Sequence, residues 1–347
     1  MVTPDERPRD VHVALLGAGL MGAFHARTLA STAGVVLRRV VDADAALAAR
    51  VAAVSGAIAG TDAAEALDDE SIDAVVIATP AATHGALIER SAAAGKAVFC
   101  EKPLGVGFEE AERVARSVAA AGVPFQIGFQ RRFDPGIARL MSTLREGGLG
   151  RVETFRSMTA DPSGPTYEAM ERSAGIFHDT LSHDMDLALA IGGAIDEVTT
   201  LGAAMTDARF EAIGKPDTTL ITLRFASGAL GVIENRLRTG YGYETVLEVG
   251  GSTGKAVVRA DELDRLTLYR DGRIERAHVP WFLERFADAY RGELGAFFVA
   301  LRAKVATEPG IAQGLRVLAA CEAAERSYHE RRPCRPRAVV DPSTGRA

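Results

Sequence analysis

Residues Val11–Leu16 form a short apolar run, and Gly17-Ala18-Gly19-Leu20-Met21-Gly22 follows with no residue between. Residues 20–30 then carry a helical pattern. A G-x-G-x-x-G string alone is weak evidence, but between a strand and a helix it has the context the motif needs. Gly17 permits the tight turn, Gly19 lets backbone approach a pyrophosphate, and Gly22 lets the helix pack closely on the strand. Phosphates would sit on the helix N-terminus, at Leu20 and Met21, where free N–H groups and the dipole favour anions. The second apolar run, Val35–Val41, ends in Asp42, twenty residues past Gly22. That spacing suits a carboxylate accepting from both hydroxyls of an adenosine ribose. Ala43 and Asp44 follow, so a 2′-phosphate would meet two negative charges. NAD is expected rather than NADP, with Arg38 and Arg39 as the residues that could oppose this.

The strand–helix alternation continues. Residues 74–78 read as a buried strand ending in Thr79-Pro80, and a helix bearing His84 follows. Residues 97–100 run into Glu101-Lys102-Pro103-Leu104, and residues 124–129 into Gln130-Arg131-Arg132-Phe133. Parallel strands joined by helices give a doubly wound Rossmann sheet, whose ligands bind beyond the strands' C-terminal ends. Thr79, His84, Lys102 and Arg131 all fall there. Pro103 restricts the backbone at Lys102, but position alone leaves open a surface lysine at a domain boundary.

From about residue 150 the alternation breaks. Strand-like runs at 151–159, 218–225, 230–236, 245–249, 255–258, 266–269 and 274–279 are separated by turns such as Ser227-Gly228 and Asp271-Gly272. They predict a large, mostly antiparallel open sheet in an α+β domain. Helices are expected at 175–187, 282–306 and 311–330. The division is therefore an NAD-binding domain over 8–130 and a substrate and oligomerisation domain over 131–340. The last residues either return to the first domain or lack order, and the site is expected in the cleft at the junction.

Composition excludes several classes. With 347 residues, 47% of them apolar and 25% charged, the chain can build two cores. A net charge of −6 argues against nucleic acid. The opening MVTPDERPRD has no apolar segment, so no secretory signal is expected, and the Ala-rich run near 43–60 carries charges that keep it out of a membrane. Cys100, Cys321 and Cys334 are widely scattered, which points to reduced thiols and the cytoplasm.

The chemistry concentrates in residues 175–187, GIFHDTLSHDMDL. Asp179 and His183 are four apart, so on a continuous helix they share a face and the carboxylate can orient the imidazole. Three uses compete. The pair can serve general acid–base catalysis; it can belong to a metal site with His178 or Asp184; or it can be structural. His178 and Asp179 lie about 100° apart around a helix, and no Cys or Glu cluster completes a metal set, so no metal is expected. A nicotinamide fold favours the first use, because hydride transfer from an alcohol leaves a proton that a histidine can accept.

These residues carry a resemblance. Over nearly its whole length the chain resembles the family of glucose-fructose oxidoreductases, inositol dehydrogenases and MocA-type proteins. The resemblance rests on the glycine fingerprint, Thr79-Pro80 with His84, Glu101-Lys102-Pro103, and Asp179-x-x-x-His183. Gly128-Phe129-Gln130-Arg131-Arg132-Phe133-Asp134, Tyr241-Gly242-Tyr243-Glu244, and Trp281 with the segment from Glu284 look closest to inositol 2-dehydrogenases. The resemblance implies an NAD-dependent oxidation of one secondary hydroxyl in a cyclic polyol or sugar, by a homo-oligomer (dimer or tetramer). It implies Lys102, Asp179 and His183 as the catalytic group, with His183 the base, Asp179 its partner and Lys102 a donor to the reacting oxygen. It also implies cofactor contacts at Gly17, Gly19, Leu20, Met21, Gly22, Asp42, Thr79, Pro80, His84, Glu101, Lys102 and Arg131. Substrate contacts are implied at Lys102, Arg131, Asp161, His178, Asp179, His183, Tyr241 and Tyr243. Two departures stand out. The loop reads Ala160-Asp161-Pro162 where inositol dehydrogenases commonly have Arg before the acidic or amide residue, and His178 and Ser182 occupy positions that are often apolar. They leave open which polyol reacts. Alternatives are redox-neutral sugar chemistry with tightly held NAD, or a catalytically inactive NAD-binding sensor.

Overall fold

The computed structural model describes residues 9–342, the side chain of Arg265 excepted. These residues form two compact units. The first takes the chain through Phe129, then Tyr290–Leu315 and the segment from Val339; the second takes Gln130–Ala289 and Arg316–Ala338.

In the first unit, strands β1 (Val11–Leu16), β2 (Val35–Val41), β3 (Ile58–Gly60), β4 (Ala74–Ile77), β5 (Ala97–Glu101) and β6 (Phe125–Gly128) form one sheet in the order β3-β2-β1-β4-β5-β6. Every pair in it is parallel. The order reverses between β1 and β4, and that is where a doubly wound sheet opens a crevice for a dinucleotide. All residues of β4, β5 and β6 are buried, as expected of parallel strands covered on both faces.

Within the 131–340 expected for the second domain, residues Tyr290–Leu315 group with the first unit. Leu294, Phe297 and Phe298 of helix Ala287–Ala303 belong to the first unit's core, with Val13, Leu15, Leu29, Val40 and Phe99. The rings of Phe99 and Phe297 meet edge to face at 5.9 Å. The expected helix at 282–306 is also broken into Phe282–Arg285 and Ala287–Ala303. Phe286 at the break has φ −113° and ψ 18°.

In the second unit, strands β7 (Val152–Ala160), β8 (Ile195–Ala203), β9 (Thr218–Phe225), β10 (Leu230–Arg236), β11 (Glu244–Gly251) and β12 (Gly254–Arg259) form a sheet ordered β12-β11-β7-β10-β9-β8. Only β7 and β10 run parallel, so the sheet is mixed. A separate hairpin joins β13 (Glu262–Arg270) to β14 (Arg273–His278). In β9 buried Thr219, Ile221, Leu223 and Phe225 alternate with less buried residues, the period-2 pattern of a sheet covered on one face. No helix among the described residues is long and apolar enough to cross a membrane.

Candidate active site

The glycine turn has the geometry its sequence demands. Gly17 has φ +98°, and a Cβ there would stand 2.5 Å from the Ala78 carbonyl oxygen. A Cβ on Gly22 would stand 1.9 Å from the Gly17 carbonyl oxygen, so helix Leu20–Ser31 can approach the turn only with glycine at this position. A Cβ on Gly19, by contrast, would meet no atom within 4 Å. Gly19 is also the N-cap of that helix and gives it no side-chain cap. Open space in front of uncapped helix amides is what a pyrophosphate requires. Leu20 is half exposed beside it.

Asp42 stands at the end of β2. Its Oδ2 accepts from the Ala18 N–H at 2.7 Å and its Oδ1 from the Asp44 N–H at 2.9 Å. Each carboxylate oxygen has a second acceptor site, so the side chain is fixed against the glycine turn with capacity left for ribose hydroxyls. Asp44 instead caps helix Ala45–Ala52, accepting from the N–H groups of Ala46 and Leu47. Of the two arginines that could favour a 2′-phosphate, Arg39 is held by Asp69 and Glu65. The hydroxyl and N–H of Ser71, aided by Arg39, pull the Asp69 carboxyl down to about 2. Residues 17–44 thus fit an adenosine dinucleotide with a free ribose.

Thr79 and Pro80 lie on the turn after β4, where the Thr79 hydroxyl accepts from that of Thr83 at 2.7 Å. His84 follows β4 and Glu101 ends β5. His84 is buried, with Nδ1 2.7 Å from the Pro103 carbonyl oxygen and Nε2 2.8 Å from that of Thr79. Glu101 is also buried, 2.7 Å from Nε2 of His25. Both support the surface loops from behind. Lys102, between Glu101 and Pro103, is partly exposed.

In the second unit, the segment expected as one helix is two, Gly175–Asp179 and Leu181–Gly192. Thr180 between them has φ −96° and ψ −52°, and the His183 N–H donates back only three residues, to the Thr180 carbonyl, at 3.3 Å. Asp179 therefore ends the first helix and His183 lies in the first turn of the second, so they are not an i,i+4 pair on a continuous helix. Both are partly exposed.

Directly after His183, Asp184 turns inward with no exposure. It accepts from Arg131 Nη1 at 3.1 Å, Thr159 Oγ1 at 3.0 Å, Asn235 Nδ2 at 2.8 Å, and the Ser157 hydroxyl. This carboxylate fastens the helix to β7 and β10. Two turns of chemistry follow from it. Arg131, expected on the ligand surface, is only 3% exposed, and its Nη2 donates to the Tyr243 hydroxyl at 3.2 Å. Tyr243, expected to touch substrate, is itself buried, and burial pushes its phenol up to about 12. Both side chains are buried in this structure. Nearby, Arg132 grips buried Asp186 through Nε and Nη2, at 2.8 and 2.6 Å.

His178 also points elsewhere: its Nε2 is 3.1 Å from Oε2 of Glu325, and that contact holds the Glu325 carboxyl below its ordinary range. Tyr241 is half exposed and donates to Glu244. A cavity of about 440 Å³ opens instead beside Asp161, Ser173, Asp179, Thr180, Trp281 and Phe282. It brings together two of the expected substrate residues, Asp161 and Asp179, and has no Lys, Arg or His in its lining. Trp281 and Phe282 meet at 4.6 Å in its wall. Carboxylates and hydroxyls beside aromatic rings suit a neutral ring that carries many hydroxyls on one edge and C–H groups on its face.

Sequence reasoning missed the anchoring role of Asp184. The signal was present, because Asp184 falls on the stripe of Leu181, Met185 and Ala188, all buried. An acid on an apolar helical stripe implies a buried partner.

Residues 11–129 match the model of the GFO/IDH/MocA oxidoreductase family with its NAD-binding Rossmann fold, and residues 137–257 match the GFO/IDH/MocA C-terminal domain. An inositol 2-dehydrogenase of Rhizobium meliloti (strain 1021) is 36% identical over 93% of this chain and 98% of that protein. A scyllo-inositol 2-dehydrogenase (NAD(+)) of Bacillus subtilis (strain 168) is 34% identical over 84% of this chain and 86% of its own length. Among solved structures, a myo-inositol dehydrogenase from Corynebacterium glutamicum ATCC 13032 superposes with a TM-score of 0.90 at 29% identity, covering 95% of this chain and 99% of that one. With a cofactor turn of the required geometry and family matches across both units, the chain belongs to the Gfo/Idh/MocA family of NAD-binding oxidoreductases.

Proposed function

We propose that this protein is an NAD-dependent dehydrogenase that oxidises one secondary hydroxyl of a cyclic polyol, an inositol being the substrate the relatives' names support. The observation that carries the reading is the open cradle at Gly19 with Asp42 fixed against it. NAD, when bound, supplies the hydride acceptor. His183 takes the hydroxyl proton as the carbinol hydrogen leaves as hydride, Asp179 stabilises the charged ring, and Lys102 donates to the oxygen as it becomes a carbonyl. The products are a ketone, NADH and a proton. The cavity beside Trp281, where Asp161, Asp179, Ser173 and Thr180 offer oxygen atoms to hydroxyls, supports a polyol.

The test is to mix the protein with NAD and a panel of inositols, sugars and sugar acids and follow absorbance of the reduced cofactor. Turnover is expected with at least one inositol, and weakly or not at all with NADP. Asp42→Ala should raise the dissociation constant for NAD and erase the preference over NADP. A panel with no turnover by NAD-loaded protein would remove the reading; an unchanged preference would mean that Asp42 does not read the ribose.

We also infer a homo-oligomer, packed through the open face of the second unit's sheet. That face carries Leu201, Leu220, Leu230 and Val257, each at least half exposed or nearly so at 71%, 49%, 53% and 53%. The strand register sets Leu201 opposite Leu220, and that row continues through Glu234, Met158 and Val246. Exposed apolar side chains on one sheet face, interleaved with charged neighbours such as Glu234 and Arg224, support an interface between copies of the chain. Sedimentation velocity should give dimers or tetramers; a single species at 36.7 kDa would dismiss them.

A further inference from the structure

Lys102 lies between two residues that are each held from inside the first unit. On one side Glu101 closes β5, and its Oε1 lies 2.7 Å from Nε2 of His25, a ring with no exposure. His25 comes from the helix that begins at the glycine turn, and the edges of Phe24, Phe99 and Tyr290 hem it in at 5.7–6.3 Å. Glu293, also without exposure, brings a second carboxyl into the group; one polar atom from each of the three side chains lies within 4.8 Å of the others. Burial, and then the charge of Glu101, push the Glu293 carboxyl well above its ordinary range. On the other side of Lys102, the Pro103 carbonyl oxygen lies 2.7 Å from Nδ1 of His84, whose Nε2 reaches the Thr79 carbonyl at 2.8 Å. His84 thus ties the turn after β5 to the turn after β4.

We propose that His25 and His84 are positioning residues for Lys102, His25 acting through the Glu101 carboxylate and His84 through the Pro103 carbonyl. The proposal rests on the reading of Lys102 as the donor to the reacting oxygen. A lysine side chain has four rotatable bonds, so its ammonium reaches one spot reproducibly only if its backbone is fixed. Neighbouring side chains at the end of a strand leave on opposite faces, so Glu101 drawn inward sends Lys102 outward. Neither histidine has an exposed face with which to touch a ligand, so each can act only through the segment it holds. Misplacing a catalytic group by about 1 Å costs on the order of 100-fold in rate.

The experiment uses the full chain with NAD and the inositol it turns over best, unlabelled and deuterated at the reacting carbon. His25→Leu and His84→Leu are expected to lower kcat about 10- to 100-fold, with the dissociation constant for NAD unchanged. The isotope effect on kcat should rise in both, because hydride transfer becomes slower than product release. Loss of folded enzyme would lower the active fraction and leave the isotope effect as it was. His25→Gln keeps a donor toward Glu101 and should recover much of kcat. His84→Gln keeps an N–H donor for these carbonyls on a more flexible side chain and should fall between leucine and wild type. If the leucine variants do not fold, His25→Ala and His84→Ala carry the same comparison. Wild-type kcat in the folded leucine or alanine variants, or a lower kcat in them with an unchanged isotope effect, overturns the proposal. If Lys102→Ala is inactive while the histidine variants are not, only the positioning roles fall. If Lys102→Ala keeps full turnover, the role of Lys102 falls and the positioning roles with it.

Discussion

His183→Ala is expected to lower kcat on the best inositol by about 10²- to 10⁴-fold, the usual contribution of a positioned general base. Removing the imidazole leaves water to take the alcohol proton, and water is a far poorer base near neutral pH. The dissociation constant for NAD should hardly move. The cradle for the dinucleotide is built by Gly17, Gly19, Gly22 and Asp42 in the first unit, and none of these depends on the second unit's helix Leu181–Gly192. Lys102→Ala should cost kcat on a similar scale, because it removes the charge that meets the oxygen as the carbonyl forms. The two losses should not add fully if, as proposed, both groups act on the same oxygen in the same step. Turnover of His183→Ala within twofold of wild type would take this histidine out of the mechanism, whatever the fate of Lys102.

The parts of this site that were legible in the sequence are those set by short-range sterics. The roles of Gly17 and Gly22 follow from the neighbouring strand and helix alone, and the contacts that a Cβ would make bear them out. Asp42 was legible because one strand–helix–strand unit fixes its distance from the glycines. What the sequence hides is which way a side chain points and what meets it there. His84, Glu101, Arg131 and Tyr243 all stand at the right places along the chain, yet all four are buried. The partner of Glu101 is His25, 76 residues away, and the Tyr243 hydroxyl meets Arg131 across 112 residues. No local pattern announces such pairs. The break at Thr180 is a similar case, because the apolar spacing of Leu181, Met185 and Leu189 continues smoothly and gives no sign of where the helix begins. Likewise, the spacing of Leu294, Phe297 and Phe298 marks them as core without saying which core receives them. Their place in the first unit became evident only from the packing around Phe99.

The largest effect on stability should come from Asp184, the residue next to the proposed base. Asp184→Ala leaves the Arg131 guanidinium, 3% exposed, without its carboxylate, and strands donors of Ser157, Thr159 and Asn235 in the interior. Removing one partner of a buried ion pair costs about 3–5 kcal/mol. For a folded body of this size, about 1 kcal/mol corresponds to roughly 2–4 °C, so Tm should fall by on the order of 10 °C. Asp184→Asn preserves volume and one acceptor and should lose less. Pairing Asp184→Leu with Arg131→Met removes both charges and should recover the part of the loss due to the unpaired guanidinium, leaving the part due to the donors of Ser157, Thr159 and Asn235. The same comparison separates stability from catalysis. The double variant, once folded, still carries His183 and Lys102; its kcat at a temperature well below its Tm measures how far the carboxylate's grip on β7 and β10 also sets the aim of the base. A Tm for Asp184→Ala within about 2 °C of wild type would mean that the interior relaxes around the missing carboxylate, and that the helix is held in place by its apolar stripe alone.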